Sequence, residues 1–230
     1  MGDPLATRIM TEGLELEFLS PPPMVSACPP HLYPSPAQLL IIRRKVLDLV
    51  ERGIVREILV PQPLFFSRLF LVPKGEDHRL IIDLSELNKL LIVPTFRMER
   101  VVEIAAGITE SMWGVTLDIQ DAYWHVPVSW LCHVFLAFSL ELFPGVWKTF
   151  VFQYLPFGLS SAPWAFTRVM KPIKAYLHIR SIRAHSYLDD FLFLSRCREV
   201  LVEQIALVLN LLERLGLKIN SKKSQLVLSQ

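Results

Sequence analysis

Two adjacent carboxylates, Asp189 and Asp190, stand between two apolar runs at 182–187 and 191–195, and this pair limits the fold more than any other feature. Like charges crowded together are costly unless a cation neutralises them. The pair therefore belongs at a bend between two strands, where water or an ion can reach it. Side chains alternate along a strand, so the two acids point in different directions. A third acid, Asp118, ends the apolar run at 114–117. A carboxylate at the end of a buried strand suits Mg²⁺, which takes one or two protein acids and completes its octahedron with water and phosphate oxygens. Alone, the pair reads as a solvated turn, and Asp118 reads as a helix cap before a turn at Asp121. Together and in this order, the three acids predict a metal-binding centre built on separate strands.

The rest of the pattern alternates helices with hairpin-type strands, which predicts the α+β class. Prolines at 21–23, 29, 30, 34 and 36 make 20–36 an extended linker. Ser35 and Pro36 open a helix that Gly53 stops. Strands are expected at 54–60, 68–72 (ended by Pro73) and 79–83, the last two joined as a hairpin through the polar turn 74–77. A helix over 97–108 and a strand over 115–119 follow. A hairpin pairs 134–140 with 146–152. The helix at 161–177 carries Pro172 inside it, where a kink is expected. Strands at 182–187 and 191–195, an amphipathic helix at 198–215 ended by Gly216, and a strand from 225 complete the chain.

Composition sets wider bounds. With 52% hydrophobic residues and 230 positions, the chain can bury a large core. The apolar excess suggests that missing domains normally cover part of its surface. No apolar run is long enough to span a membrane, and Met1 to Met10 lack a signal-peptide layout. The opening Met1-Gly2 is followed by Ala6 where an N-myristoylation motif has Ser or Thr. Cys28, Cys132 and Cys197 are widely spaced and odd in number, which predicts neither disulfide framework nor zinc site. An intracellular location, cytoplasmic or nuclear and not secreted, is expected. Net charge is only +2, but residues 1–27 carry −3, and from Trp164 onward 11 Lys or Arg face 5 Asp or Glu. A basic final third can face a polyanion.

Five segments, in order, resemble the reverse transcriptases of retroelements over about 66–230. They are 67–74 (SRLFLVPK) with 79–89 (RLIIDLSELNK), 117–127 (LDIQDAYWHVP), 153–163 (QYLPFGLSSAP), 187–190 (YLDD) and 216–224 (GLKINSKKS). Segments 17–23, 66–73 and 155–160 look like the DIRS group, whose members integrate with a tyrosine recombinase.

The resemblance implies a right-hand polymerase fold. Its parts would be an N-terminal extension and linker (1–36), fingers (37–112), and a palm with an interleaved fingers segment (113–230), the antiparallel palm sheet backed by helices and the thumb absent. It implies RNA-directed DNA synthesis from a deoxynucleoside triphosphate on a primed RNA or DNA template. Asp118, Asp189 and Asp190 would hold two Mg²⁺ ions (Mn²⁺ as substitute), with Ile119 adding a carbonyl oxygen and Lys223 a proton for pyrophosphate. Lys74, Arg79, Asp121, Ala122, Tyr123, Phe157 and Gly158 would contact the nucleotide. Tyr123 would act as the steric gate against a 2′-hydroxyl, which argues against an RNA replicase. The chain would belong to a longer polyprotein with thumb, RNase H and recombinase regions, and would be weakly processive without them. The competing expectation is a non-catalytic, co-opted nucleic-acid-binding remnant.

Overall fold

The computed structural model describes residues 3–28, 35–59, 62–75, 77–98, 101–105, 108–109 and 111–229. In chain order the elements are helices α1 (Pro4–Glu12) and α2 (Pro36–Glu51), and strands β1 (Val55–Ile58), β2 (Arg68–Lys74) and β3 (Asp77–Asp83). Short helices α3 (Ser85–Asn88) and α4 (Val101–Ala105) precede β4 (Trp113–Asp118) and two 3₁₀ turns, Ala122–His125 and Trp130–Phe135. Then come β5 (Ala137–Phe143), β6 (Val146–Phe152), α5 (Ala162–Ile179), β7 (Arg183–Tyr187), β8 (Asp190–Ser195), α6 (Arg198–Arg214) and β9 (Gln225–Ser229). Helices alternate with antiparallel sheets, so the class is α+β, as predicted.

Two compact units share the chain. The first comprises Met1–Thr7, Thr95–His125 and Pro163–Gln230, the second Arg8–Pro94 and Val126–Ala162. The first is built on a four-stranded sheet in the order β7-β8-β4-β9. Its central strands are the most apolar: Val115 and Leu117 of β4 and Phe191, Phe193 and Leu194 of β8 are buried. Phe191 and Phe193, two residues apart and so on one face, stack at 6.2 Å. Helix α6 packs on β8 and β4. Its buried residues Leu201, Ile205, Val208 and Leu212 are spaced four, three and four apart, the stripe a 3.6-residue period produces. Full burial of each such side chain is worth roughly 1.5–3 kcal/mol.

The second unit holds the three-stranded sheet β1-β6-β5 and the ribbon β2-β3. Phe138 stacks on Phe150 at 5.4 Å and tilts against Phe152 at 5.7 Å. Helix α2 is capped by the Ser35 hydroxyl, which accepts the Gln38 N–H, and it buries Ile42, Val46 and Leu49 against β1 and β2.

Several expected boundaries shift. Strand β2 runs through Pro73 to Lys74, pairing Pro73 with His78. A proline is tolerated there because the ribbon is all edge, where a missing N–H breaks no inner ladder. The partner strand begins at Asp77 rather than residue 79. Residues 134 and 135 belong to a 3₁₀ turn, and the strand expected from 134 begins at Ala137. The helix expected over 97–108 is seen as Val101–Ala105, with 97, 98 and 108 not helical. Residues 99, 100, 106 and 107 of that helix lie outside the described residues, as do Met1 and Gly2, linker residues 29–34, Val60 and Pro61 at the first strand's end, and Glu76 at the hairpin tip. Helix α5 continues through Pro172. Helix α1, in the stretch read as an extension, was legible in Asp3-Pro4: the Asp3 carboxylate accepts the Leu5 and Ala6 N–H groups, and proline suits the first helical position. No helix among the described residues is long and apolar enough to cross a membrane.

Candidate active site

The ladder between β4 and β8 ends with Asp118 directly opposite Asp190. Antiparallel partners stand about 4.5–5.5 Å apart at Cα, so two acids separated by more than seventy residues meet at one end of the central strands. The bend before β8 is Leu188-Asp189, tighter than expected, because Asp190 is already paired to Tyr187 within the strand. Leu188 sits at φ 53°. For a γ-branched side chain that left-handed backbone costs about 1–2 kcal/mol. The Asp189 carbonyl accepts the Ile119 N–H at 2.9 Å, which ties the bend to the strand carrying Asp118.

The segment after α6 closes the third side. Ile119 bridges Ile219, the Asn220 N–H donates to the Asp118 carbonyl at 2.9 Å, and the Gln120 N–H donates to the Lys218 carbonyl at 2.8 Å. The Asp118 N–H donates to the Ser224 hydroxyl at 3.0 Å. Lys223 is thereby held over Asp118, its ammonium 2.9 Å from Oδ2. This hydrogen bond, more than the surrounding acids, raises the Lys223 pKa. Asp118 is buried. Burial first, then the charges of Asp189 and Asp118, push the Asp190 carboxyl above the usual range. The corner thus holds more negative charge than one lysine balances. Among the described residues no group of three or more acids, histidines or cysteines is placed to hold a metal ion. Mutually repelling carboxylates beside a lysine are not expected to close up on one another.

The 3₁₀ turn Ala122–His125 follows directly, entered through Asp121 at φ 53°. Tyr123 packs edge-on to Phe166 at 6.1 Å. Burial, helped by the Asp189 charge, pushes its hydroxyl up to about 12, so the phenol stays neutral. The Lys218 N–H donates to His125 Nε2 at 3.2 Å. Nδ1 must then carry the ring proton, 3.3 Å from the Ala122 carbonyl. Burial lowers the His125 pKa, consistent with a neutral ring.

Lys74, Arg79, Phe157 and Gly158 belong to the second unit. Lys74 ends β2 at the ribbon tip and is exposed. The Arg79 guanidinium lies 5.2 Å from the centre of the Phe157 ring. Gly158 adopts φ +103°, and a Cβ there would stand 3.0 Å from the Ile82 carbonyl, so glycine is needed for both shape and approach.

Sequence reasoning passed over three things. His125 and Ser224 lie inside recognised motifs, but their partners are 93 and 106 residues away. The third is a cavity of about 390 Å³ in the first unit, walled by Phe96, Arg97, Trp164, Arg168, Lys171 and Leu188 among others. Its basic side is the part of the cationic final third that had no assigned place.

The model of the family described as reverse transcriptase (RNA-dependent DNA polymerase) matches residues 72–230. The chain is 27% identical over 217 residues to the enzymatic polyprotein of Cestrum yellow leaf curling virus, covering 93% of this chain and 32% of that protein. It is 27% identical over 205 residues to the retrovirus-related Pol polyprotein from transposon opus of Drosophila melanogaster, covering 86% and 19%. The chain therefore spans about a third or less of the length of these relatives. On the family match over most of its length, the chain belongs to the reverse transcriptase family.

Proposed function

We propose that the chain carries the nucleotidyl-transfer centre of a retroelement's RNA-directed DNA polymerase, joining a deoxynucleoside triphosphate to a primer 3′-hydroxyl on an RNA or DNA template. The observation that carries this reading is the direct pairing of Asp118 with Asp190 beside Asp189, with Lys223 as the local counter-cation. The donor set fits a hard divalent ion. It is all carboxylate, and three acids beside one lysine leave negative charge that such an ion would relieve. Asp118, Asp189 and Asp190, with the Ile119 carbonyl, would hold Mg²⁺ or Mn²⁺. Two such ions would supply activation of the hydroxyl and stabilisation of the leaving oxygen.

The chain's own groups do the rest. Lys223, kept protonated by Asp118, is a proton donor for pyrophosphate. Arg79 offers a permanently charged planar fork to the triphosphate, with Lys74 as a second cation. The turn at Asp121-Ala122 presents backbone N–H groups to phosphate oxygens. The Tyr123 ring excludes a 2′-hydroxyl, and Phe157 and Gly158 border the nascent pair. The cavity lined by Arg97, Trp164, Arg168 and Lys171 offers cations to a strand's phosphates and a ring to its bases. In domain terms, 37–112 are fingers and 113–230 palm, after an extension at 1–36. The motifs at 17–23, 66–73 and 155–160 favour a DIRS-like element, and a recombinase region encoded alongside would support that assignment.

Primer extension on an RNA template with Mg²⁺ and deoxynucleotides tests the reading. Asp189→Asn should lower incorporation by about a hundredfold or more, the size of a lost electrostatic contact to the transition state. Equal incorporation by both proteins would remove the catalytic assignment.

A further inference from the structure

Asn88 closes α3, and its side chain makes two hydrogen bonds across 70 residues of sequence. Its Nδ2 donates to the Gly158 carbonyl at 2.8 Å. Its Oδ1 accepts the Ser160 N–H at 2.9 Å. A primary amide donates at one end and accepts at the other, and the two partners fix its orientation. Its base is firm, since the Asn88 N–H donates to the carbonyl of buried Leu84 at 2.8 Å. The loop it grips has the unusual backbone at Gly158, pressed against the Ile82 carbonyl of β3. That loop carries Phe157, on whose ring the Arg79 guanidinium rests.

We infer that Asn88 is a positioning residue for the nucleotide pocket. It clamps the turn at 157–160 onto β3, sets the Phe157 ring, and through that ring pre-aims Arg79 at the incoming triphosphate. The substrate half of this inference rests on the polymerase reading above, while the clamp itself rests on the two hydrogen bonds. A guanidinium left to swing freely must be ordered by each nucleotide it binds, which weakens binding without altering the chemical step.

Asn88→Ala and Asn88→Asp test it by two independent readouts. In Asn88→Ala the Ser160 amide should exchange with deuterium about tenfold faster, while the urea midpoint stays that of the wild type, because the lost bonds lie at the surface. In primer extension the KM for deoxynucleotide should rise about five- to tenfold with kcat nearly unchanged, the pattern of lost uniform binding. Asn88→Asp keeps the acceptor for Ser160 but sets a carboxylate against the Gly158 carbonyl, so it should raise KM while retaining more of the Ser160 protection. Unchanged exchange in Asn88→Ala overturns the clamp. Faster exchange with an unchanged KM overturns the positioning role. A wild type that incorporates nothing sinks the polymerase reading instead, and the exchange measurement then decides the clamp alone.

Discussion

Tyr123 and His125 lie two residues apart on one 3₁₀ turn, and each makes a distinct prediction. The Tyr123 ring is braced by Phe166 and its hydroxyl stays un-ionised beside Asp189, so its proposed effect on sugar choice is steric. Tyr123→Ala should improve ribonucleotide incorporation relative to deoxynucleotide by on the order of tenfold or more, as pocket-size changes do. Unchanged selectivity in competition assays would remove the gate. His125 must be neutral to accept the Lys218 N–H, and burial lowers its folded-state pKa. The unfolded chain therefore takes up the proton first. This contribution to stability is complete above the ordinary histidine pKa of about 6.5 and is lost as pH falls below it. Buried His133, also lowered by burial, works in the same direction. The urea midpoint of the wild type should drop between pH 7.5 and 5. His125→Asn, with no group titrating there, should show a smaller drop, and equal drops would contradict the assignment.

At the scale of elements, the turns are more exacting than the strands they join. Gly13 ends α1 at φ +86°, and a Cβ there would fall 2.3 Å from the Ser129 nitrogen. That approach is what allows Leu14 to bridge Val128, the Leu14 N–H donating to the Pro127 carbonyl and the Ser129 N–H to the Leu14 carbonyl. Gly13→Ala cannot relax past a backbone atom and should cost roughly 3 kcal/mol in urea unfolding. A loss under about 0.5 kcal/mol, the range of an ordinary surface change, would show that the approach is looser than drawn. The bend at Leu188-Asp189 is the opposite case. Leucine is poorly suited to its backbone there, yet the ladder on both sides and the Asp189–Ile119 hydrogen bond hold it. Strain kept beside three acids is consistent with a functional site.

At the scale of the whole molecule, charge is uneven. The basic final third contributes Lys171 and Lys174 to the cavity beside α5, where Arg168 is paired with Asp3 at 3.0 Å. If a nucleic-acid strand runs there, its affinity should fall steeply with salt, and replacing Lys171 and Lys174 by alanine should reduce the log–log slope by roughly 2. Anisotropy titrations across KCl concentrations measure this, and an unaltered slope would place the strand elsewhere. The α+β class, most strands and long helices, and the family were legible beforehand, because apolar periodicity, caps and ordered motifs are local properties of the chain. The stop of α2 and the amphipathic face of α6 needed nothing else. Boundaries slipped where the outcome depends on pairing: Pro73 stays in β2 only because that ribbon has free edges. Sequence by itself determined which residues carry charge, where the chain can turn, and which family's motifs it holds. Only the tertiary structure decided that Asp118 faces Asp190, that Lys223 settles on Asp118, and that Asn88 grips the loop at Gly158. Such partners lie 70 to 105 residues apart, and hydrogen bonds across that span are set by how sheets pair and loops pack, which no local pattern records.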